Sequence, residues 1–309
     1  MTGVPAAGAL AGGVLPAPLR RLLRAPAAML AALLLVIVVA AALFAPWLAR
    51  TNPYDLATLD LLDSHLPPVF MAGGDPRFPL GSDSQGADLL SLILYGMRTS
   101  LLVGLMAVAI SVALGTVAGL ASGYSGGLPD SSVMRVADVQ FTFPALLLAL
   151  LIGGISQSLL PADRRAALAV PIVVLALGIS HWPHFARLVR GAALVERQKD
   201  YVAAARLGGR GHVAIMFGQI LPNVLNPILV LATLDIAFAI MAEATLSFLG
   251  FGVPPTEPSL GTLIRIGYGY LFSGEWWVVI FPALTLSLLL VAVNVFGDWL
   301  RDQFDPRLR

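Results

Sequence analysis

Six apolar runs, each long enough to cross a bilayer, alternate with polar segments along the chain. A membrane-crossing helix needs roughly 20 mostly apolar residues. The runs lie at about 27–48, 99–121, 133–155, 167–189, 223–249 and 276–300. None has the strict alternation between aromatic girdles that marks an outer-membrane barrel. Backbone groups in lipid must be satisfied within their own segment, so the runs predict helices. The expected fold class is all-α integral membrane, with six transmembrane helices.

The polar segments set the orientation. Thirteen of the 19 Lys and Arg residues fall on one side, that of the two termini and of the segment between the fourth and fifth runs. Basic residues near span ends mark the cytoplasmic side, which predicts both termini in the cytoplasm. The loop from 49 to 97 is acidic instead, with Asp55, Asp60, Asp63, Asp75, Asp83 and Asp88, and is expected outside. Arg164 and Arg165, on a short outer loop, run against the pattern. Residues 1–26 form a cytoplasmic tail whose first 18 positions are rich in Ala, Gly and Pro. Arg20, Arg21 and Arg24 precede an apolar run too long for a signal-peptide core of about 7–15 residues, so an uncleaved signal-anchor is expected. Residues 301–309 form the C-terminal tail.

Composition agrees with this picture. The 309 residues are 58% hydrophobic and 12% charged, against about 25% charged in soluble domains. The net charge of +1 gives no sign of a nucleic-acid partner. There is no cysteine, which removes thiolate chemistry and Cys-based metal sites. Lysine occurs once, at Lys199, and no Gly-Lys-Ser/Thr follows a glycine-rich loop. The chain therefore has no phosphate-binding loop of its own, and any ATP must be bound by another subunit. No Ser/His/Asp or paired-carboxylate constellation points to an enzyme.

The segment between the fourth and fifth runs carries the most information. Asp200–Asn223 reads DYVAAARLGGRGHVAIMFGQILPN. Asp200 is a candidate N-cap for a short helix through Ala203, Ala204, Ala205, Arg206 and Leu207. Gly208 and Gly209 permit a left-handed turn. A second helix is expected over 212–221, with a bend at Pro222. Three alanines and two glycines give a smooth, low surface with a basic rim, suited to a partner's groove.

The segment resembles the EAA motif of ABC-importer permeases. Ala203-Ala204-Ala205 stands at the EAA place, Gly209 at the glycine and Leu221-Pro222 at the closing pair. Further stretches are similar to the second (C-type) permease of dipeptide, oligopeptide and nickel importers. They are Pro79-Leu80-Gly81-Ser82-Asp83, Tyr95 to Leu101 (YGMRTSL), Ala242 to Gly250 (AEATLSFLG), and Gly297-Asp298-Trp299-Leu300-Arg301-Asp302 followed by Asp305-Pro306-Arg307. The resemblance covers about residues 28–309 and implies a type I importer fold. It implies an ABC transmembrane domain over 98–300, with a coupling loop at about 191–222 that includes Tyr201. It also implies a heterodimer with a sister permease, two cytoplasmic ATPases that hold ATP and Mg, an external solute-binding protein, and residence in the bacterial inner membrane. The chain itself is expected to bind no cofactor. Ala203 departs from the motif's glutamate, so docking is expected to lean on Asp200, Arg206 and backbone contacts.

Other residues admit two readings each. Asp235 and Glu243 lie within the fifth run, where an ionisable group is costly and faces protein or water. Eight residues apart, they share roughly one helix face; they either face a pore or pair with neighbouring elements. His181 and His184 flank Trp182-Pro183 with no third ligand nearby, which disfavours a metal and fits a bent, packed helix. Gly115, Gly119 and Gly123 stand at a spacing that lets helices approach closely. Trp276 and Trp277 are expected at a membrane–water interface. The 49–97 loop either docks the binding protein or forms a lid on the permease. The expected function is half of the pore of an ATP-driven peptide importer. A nickel-chelate importer is the alternative within the family; a proton-coupled transporter using Asp235 and Glu243, or a membrane scaffold, is the alternative outside it.

Overall fold

The structure is a computed structural model that describes residues 21–55 and 59–304. The tail up to residue 20 and the Asp305-Pro306-Arg307 element lie outside the described residues. Every regular element among those described is helical, apart from one isolated antiparallel bridge between Ser82 and Asp88. The main helices are α1 (Pro26–Leu43), α2 (Leu89–Ser125), α3 (Gly127–Phe141), α4 (Ala145–Leu159), α5 (Ala162–Glu196), α6 (Asp200–Leu207), α7 (His212–Leu249), α8 (Leu260–Tyr270) and α9 (Trp277–Phe304).

Five of them, α1, α2, α5, α7 and α9, are long and apolar enough to cross a membrane singly. The third predicted span is not one helix. It is the pair α3 and α4, bent by 86°. Pro144 stands immediately before α4; it has no N–H to offer and disfavours helical geometry at Phe143. Counted as one span, the pair brings the total to six.

The second span begins at Leu89, ten residues before the expected start, because Asp88 caps it: its carboxylate accepts from Ser91 N at 3.0 Å and from Ser91 Oγ at 2.6 Å. At 37 residues, α2 is about 55 Å long at 1.5 Å per residue.

Helices α2 and α5 form the most extensive helix pair. Gly115, Gly119 and Gly123 line the crossing, against Phe185, Ala186, Val189 and Ala193. A Cβ on Gly119 would stand 2.6 Å from Ala186 O and 2.7 Å from Val189 Cβ. The predicted close approach is thus realised, within this chain. One apolar core joins α2, α5 and α7; a second joins α1, the first half of α2, α8 and α9.

The 49–97 loop folds onto the end of α8 and α9. Gly81, at φ +88°, passes so close to the Trp277 indole that a Cβ would come within 2.9 Å. Trp277 is buried rather than interfacial, and only Trp276 of the pair is partly open. Ser82 Oγ donates to Asp63 O at 2.5 Å and accepts from Leu66 N at 2.8 Å. His65 Nδ1 lies 2.6 Å from Glu275 Oε2. Asp83 Oδ1 accepts from the Gln85 and Ala87 amides at 2.8 Å each, and burial nonetheless pushes this carboxyl above its ordinary pKa.

Candidate functional site

The segment between α5 and α7 forms a small helix held at one end of the bundle. Lys199 has extended backbone geometry and is the N-cap residue, with no side-chain cap. Asp200 is therefore the first helical residue and not the predicted cap; its charge acts only as a first-turn acid at the positive end of the helix dipole. The C-terminus closes as a Schellman motif. Gly209, at φ +74°, donates to Arg206 O at 3.0 Å, and Arg210 N donates to Ala205 O at 3.1 Å.

Val202 is fully buried in the core shared by α2, α5 and α7, together with Ile215 and Ile220. Ala203, Ala204 and Leu207 face outwards, Leu207 being 90% exposed. The position of the motif's acid thus lies on the open face. Arg206 is also exposed, yet its guanidinium stacks over the Tyr124 ring at 4.9 Å. Tyr124 Oη lies 2.9 Å from His212 Nδ1. Arg197 Nη1 donates to Gly123 O at 3.0 Å, tying the turn before α6 to α2.

A polar latch joins α6 to both long helices. Tyr201 Oη donates to Glu196 Oε2 at 2.7 Å and accepts from Asn223 Nδ2 at 3.2 Å. Glu196 ends α5 and also takes Lys199 Nζ at 2.7 Å. Burial, then the adjacent Glu196 carboxylate, pushes the Tyr201 phenol up to about 12. The sequence singled out Tyr201 but not Glu196 or Asn223. The only available signal was the scarcity of acids there, since Glu196 and Asp200 are the only two in the segment.

The chain does not break at Pro222. It passes from His212–Ile215 through a π-helical turn at Met216–Ile220 into Leu221–Leu249. Pro222 cannot donate the hydrogen bond an α-helix would need there, and the wider turn absorbs the mismatch. Leu221 is half-buried and Pro222 exposed.

The two acids of the fifth span have separate partners. Glu243 is fully buried. Its Oε2 accepts from Ser100 Oγ on α2 and its Oε1 from Ser247 Oγ, both at 2.7 Å. Ser100 Oγ in turn accepts from Leu260 N at 3.2 Å, and Ser247 Oγ from Val253 N at 3.0 Å. Two stretches singled out in the sequence, YGMRTSL and AEATLSFLG, therefore meet at one carboxylate. Asp235 Oδ1 lies 2.8 Å from His181 Nδ1 on α5, and its buried Oδ2 has no hydrogen-bond partner. His184 packs edge-on to Phe141 at 4.8 Å. Among the described residues no three His, Asp or Glu side chains group as metal ligands.

Residues 111–309 match the family described as binding-protein-dependent transport system inner membrane component. Residues 19–68 match the N-terminal TM domain of oligopeptide transport permease C. The chain is 41% identical to a di/tripeptide transport system permease protein, DppC, of Pseudomonas aeruginosa, over 87% of this chain and 84% of that one. It is 42% identical to the dipeptide transport system permease protein DppC of Escherichia coli K12, over 87% and 85%. Among solved structures, the inward-facing MetNI methionine ABC transporter matches with a TM-score of 0.53 at 18% identity. That likeness covers 69% of this chain and 96% of the other, and concerns the fold alone.

Proposed function

The chain belongs to the family of binding-protein-dependent transport system inner membrane components, and from that premise we propose how it couples peptide import to ATP. It is a permease subunit of a peptide ABC importer, a multi-pass protein of the bacterial inner membrane with no enzymatic role of its own. The permeases named above carry peptides, which favours a peptide substrate over a nickel chelate.

In this proposal α6 is the coupling helix. Asp200, Tyr201, Ala203, Ala204, Ala205, Arg206, Gly209, Leu221 and Pro222 make up the element that an ATPase subunit grips. One observation carries the reading: an exposed alanine face on a helix latched to two long helices at once, through Glu196, Tyr201 and Asn223. Movement imposed on the open face reaches α5 and α7 together. ATP and Mg belong to two such ATPases. A sister permease supplies the other half of the path, and an external binding protein delivers the peptide. Both termini lie on the ATPase side, and the 49–97 loop lies on the other. Nucleotide moves this assembly only as far as it binds its two conformations with different affinity.

Co-purification from native membranes with mass spectrometry tests the reading. It predicts a sister permease and two ATPases with this chain. A chain that purifies alone and moves peptide in liposomes without ATP would overturn it.

A further inference from the structure

At the bundle end opposite α6, a cavity of about 330 Å³ opens between α4, the first turns of α5, the 250–255 turn and α8. Its position follows from the chain path. Helix α5 runs from this end to Glu196 beside α6, and α7 returns to Leu249. The walls are mostly apolar, with Gly153, Ala169, Val173, Phe251 and Val253, yet Arg165 and Arg265 both line it.

These arginines lie on the side where the orientation rule disfavours basic residues, so topology gives no reason for them. Both side chains are exposed, and each lies against the backbone beside the cavity. Arg165 Nε donates to Leu160 O at 2.9 Å. The Arg265 guanidinium lies over Gly250, where φ is +89° and a Cβ would meet Nη1 at 2.5 Å. Among the described residues no carboxylate pairs with either arginine. The outer surface of α4 beside the cavity carries a shallow apolar groove along Leu151, Ile155 and Leu159, all exposed.

Two arginines lining an apolar-walled cavity, beside an exposed apolar stretch of α4 on a membrane-crossing bundle, match one ligand chemistry. Guanidinium groups bind phosphate oxygens in pairs, and the groove suits an acyl chain. We infer that this cavity binds the headgroup phosphate of an anionic phospholipid, with Arg165 and Arg265 as its ligands. The inference rests on the membrane placement and not on peptide import, so it survives if the coupling proposal fails.

The test uses the full chain, delipidated in detergent and titrated with phosphatidylglycerol or phosphatidylcholine, with retained lipid counted by native mass spectrometry. The expected result is retention of phosphatidylglycerol over phosphatidylcholine, weakened at least tenfold in Arg165→Ala/Arg265→Ala. Arg77→Ala, on the 49–97 loop, should retain lipid normally. If the double variant cannot be purified, Arg165→Gln and Arg265→Gln carry the same comparison singly. Equal retention by wild type and arginine variants overturns the proposal, as does equal retention of the two lipids. Displacement of the lipid by millimolar sn-glycerol 3-phosphate would make the ligand a free phosphate ester and overturn the lipid assignment.

Discussion

Adding one methyl group at Gly119 tests whether the α2–α5 crossing holds the bundle together. The Cβ of Gly119→Ala would stand 2.6 Å from Ala186 O, 2.7 Å from Val189 Cβ and 3.1 Å from Arg190 N. Ordinary contact begins near 3.4 Å, so the helices must separate locally by about 0.8 Å. The nearest obstacle is backbone, which no rotamer change relieves. Overpacking of this kind costs about 1–3 kcal/mol, and about 2 kcal/mol is roughly a 30-fold shift in a folding equilibrium. Gly191, on α5, supplies the internal control, since nothing lies within 4 Å of a Cβ there. Gly191→Ala should be neutral or gain up to about 1 kcal/mol from helix propensity. The assay is thermal unfolding of both variants in one detergent, beside peptide uptake in cells. Gly119→Ala should melt lower than wild type and Gly191→Ala should not. Equal melting of the two variants would refute the tight crossing.

Three further outcomes follow from the site. Gly209→Val places a β-branched residue at φ +74°, a region that costs such residues about 1–3 kcal/mol; uptake should fall with insertion intact and ATPase activity no longer tied to peptide, and normal uptake would count against the coupling role. Glu243→Gln removes one of the two acceptors that serve Ser100 and Ser247 and should cost about 1–3 kcal/mol of stability in detergent melts; unchanged stability with altered peptide preference would instead support a pore-facing role. Because the Tyr201 phenol is held up to about 12 against an ordinary 10, its stabilising contribution is complete below pH 10 and disappears as pH rises through about 12. Hydrogen exchange of α6 relative to α5 should be insensitive to Tyr201 ionisation between pH 6 and 9, and Tyr201→Phe should raise it at every pH in that range.

Much of the architecture was written in local pattern. The apolar runs located the spans, Gly115, Gly119 and Gly123 marked the tight crossing, and the Asp200–Leu207 helix with its glycine turn followed from propensity and the paired glycines, although Lys199 and not Asp200 stands at the cap position. Long-range pairings were not legible. Nothing near Glu243 names Ser100, which lies 143 positions away, and Asp235 gives no sign of His181. Proline was ambiguous for a physical reason. Pro171, Pro183, Pro227 and Pro282 sit inside continuous helices, because neighbouring helices and local adjustment re-satisfy the freed backbone groups. Pro144 stands at an 86° break, and hydropathy averages over both cases alike.

The π-helical turn at Met216–Ile220 has a consequence for angular phase. Each residue of an α-helix advances its side chain by about 100°. A wide turn inserts one residue without adding a full step, so the face shown by His212–Ile215 is out of register with the face shown by Leu221–Leu249. The direction in which α6 points is therefore set separately from the direction in which Asp235 and Glu243 point. Removing a single residue from Met216–Ile220 would restore a regular helix and leave α6 and Leu221–Leu249 facing nearly as they do, whereas the same deletion within Leu221–Leu249 would turn α6 by about 100° and draw it inward by about 1.5 Å.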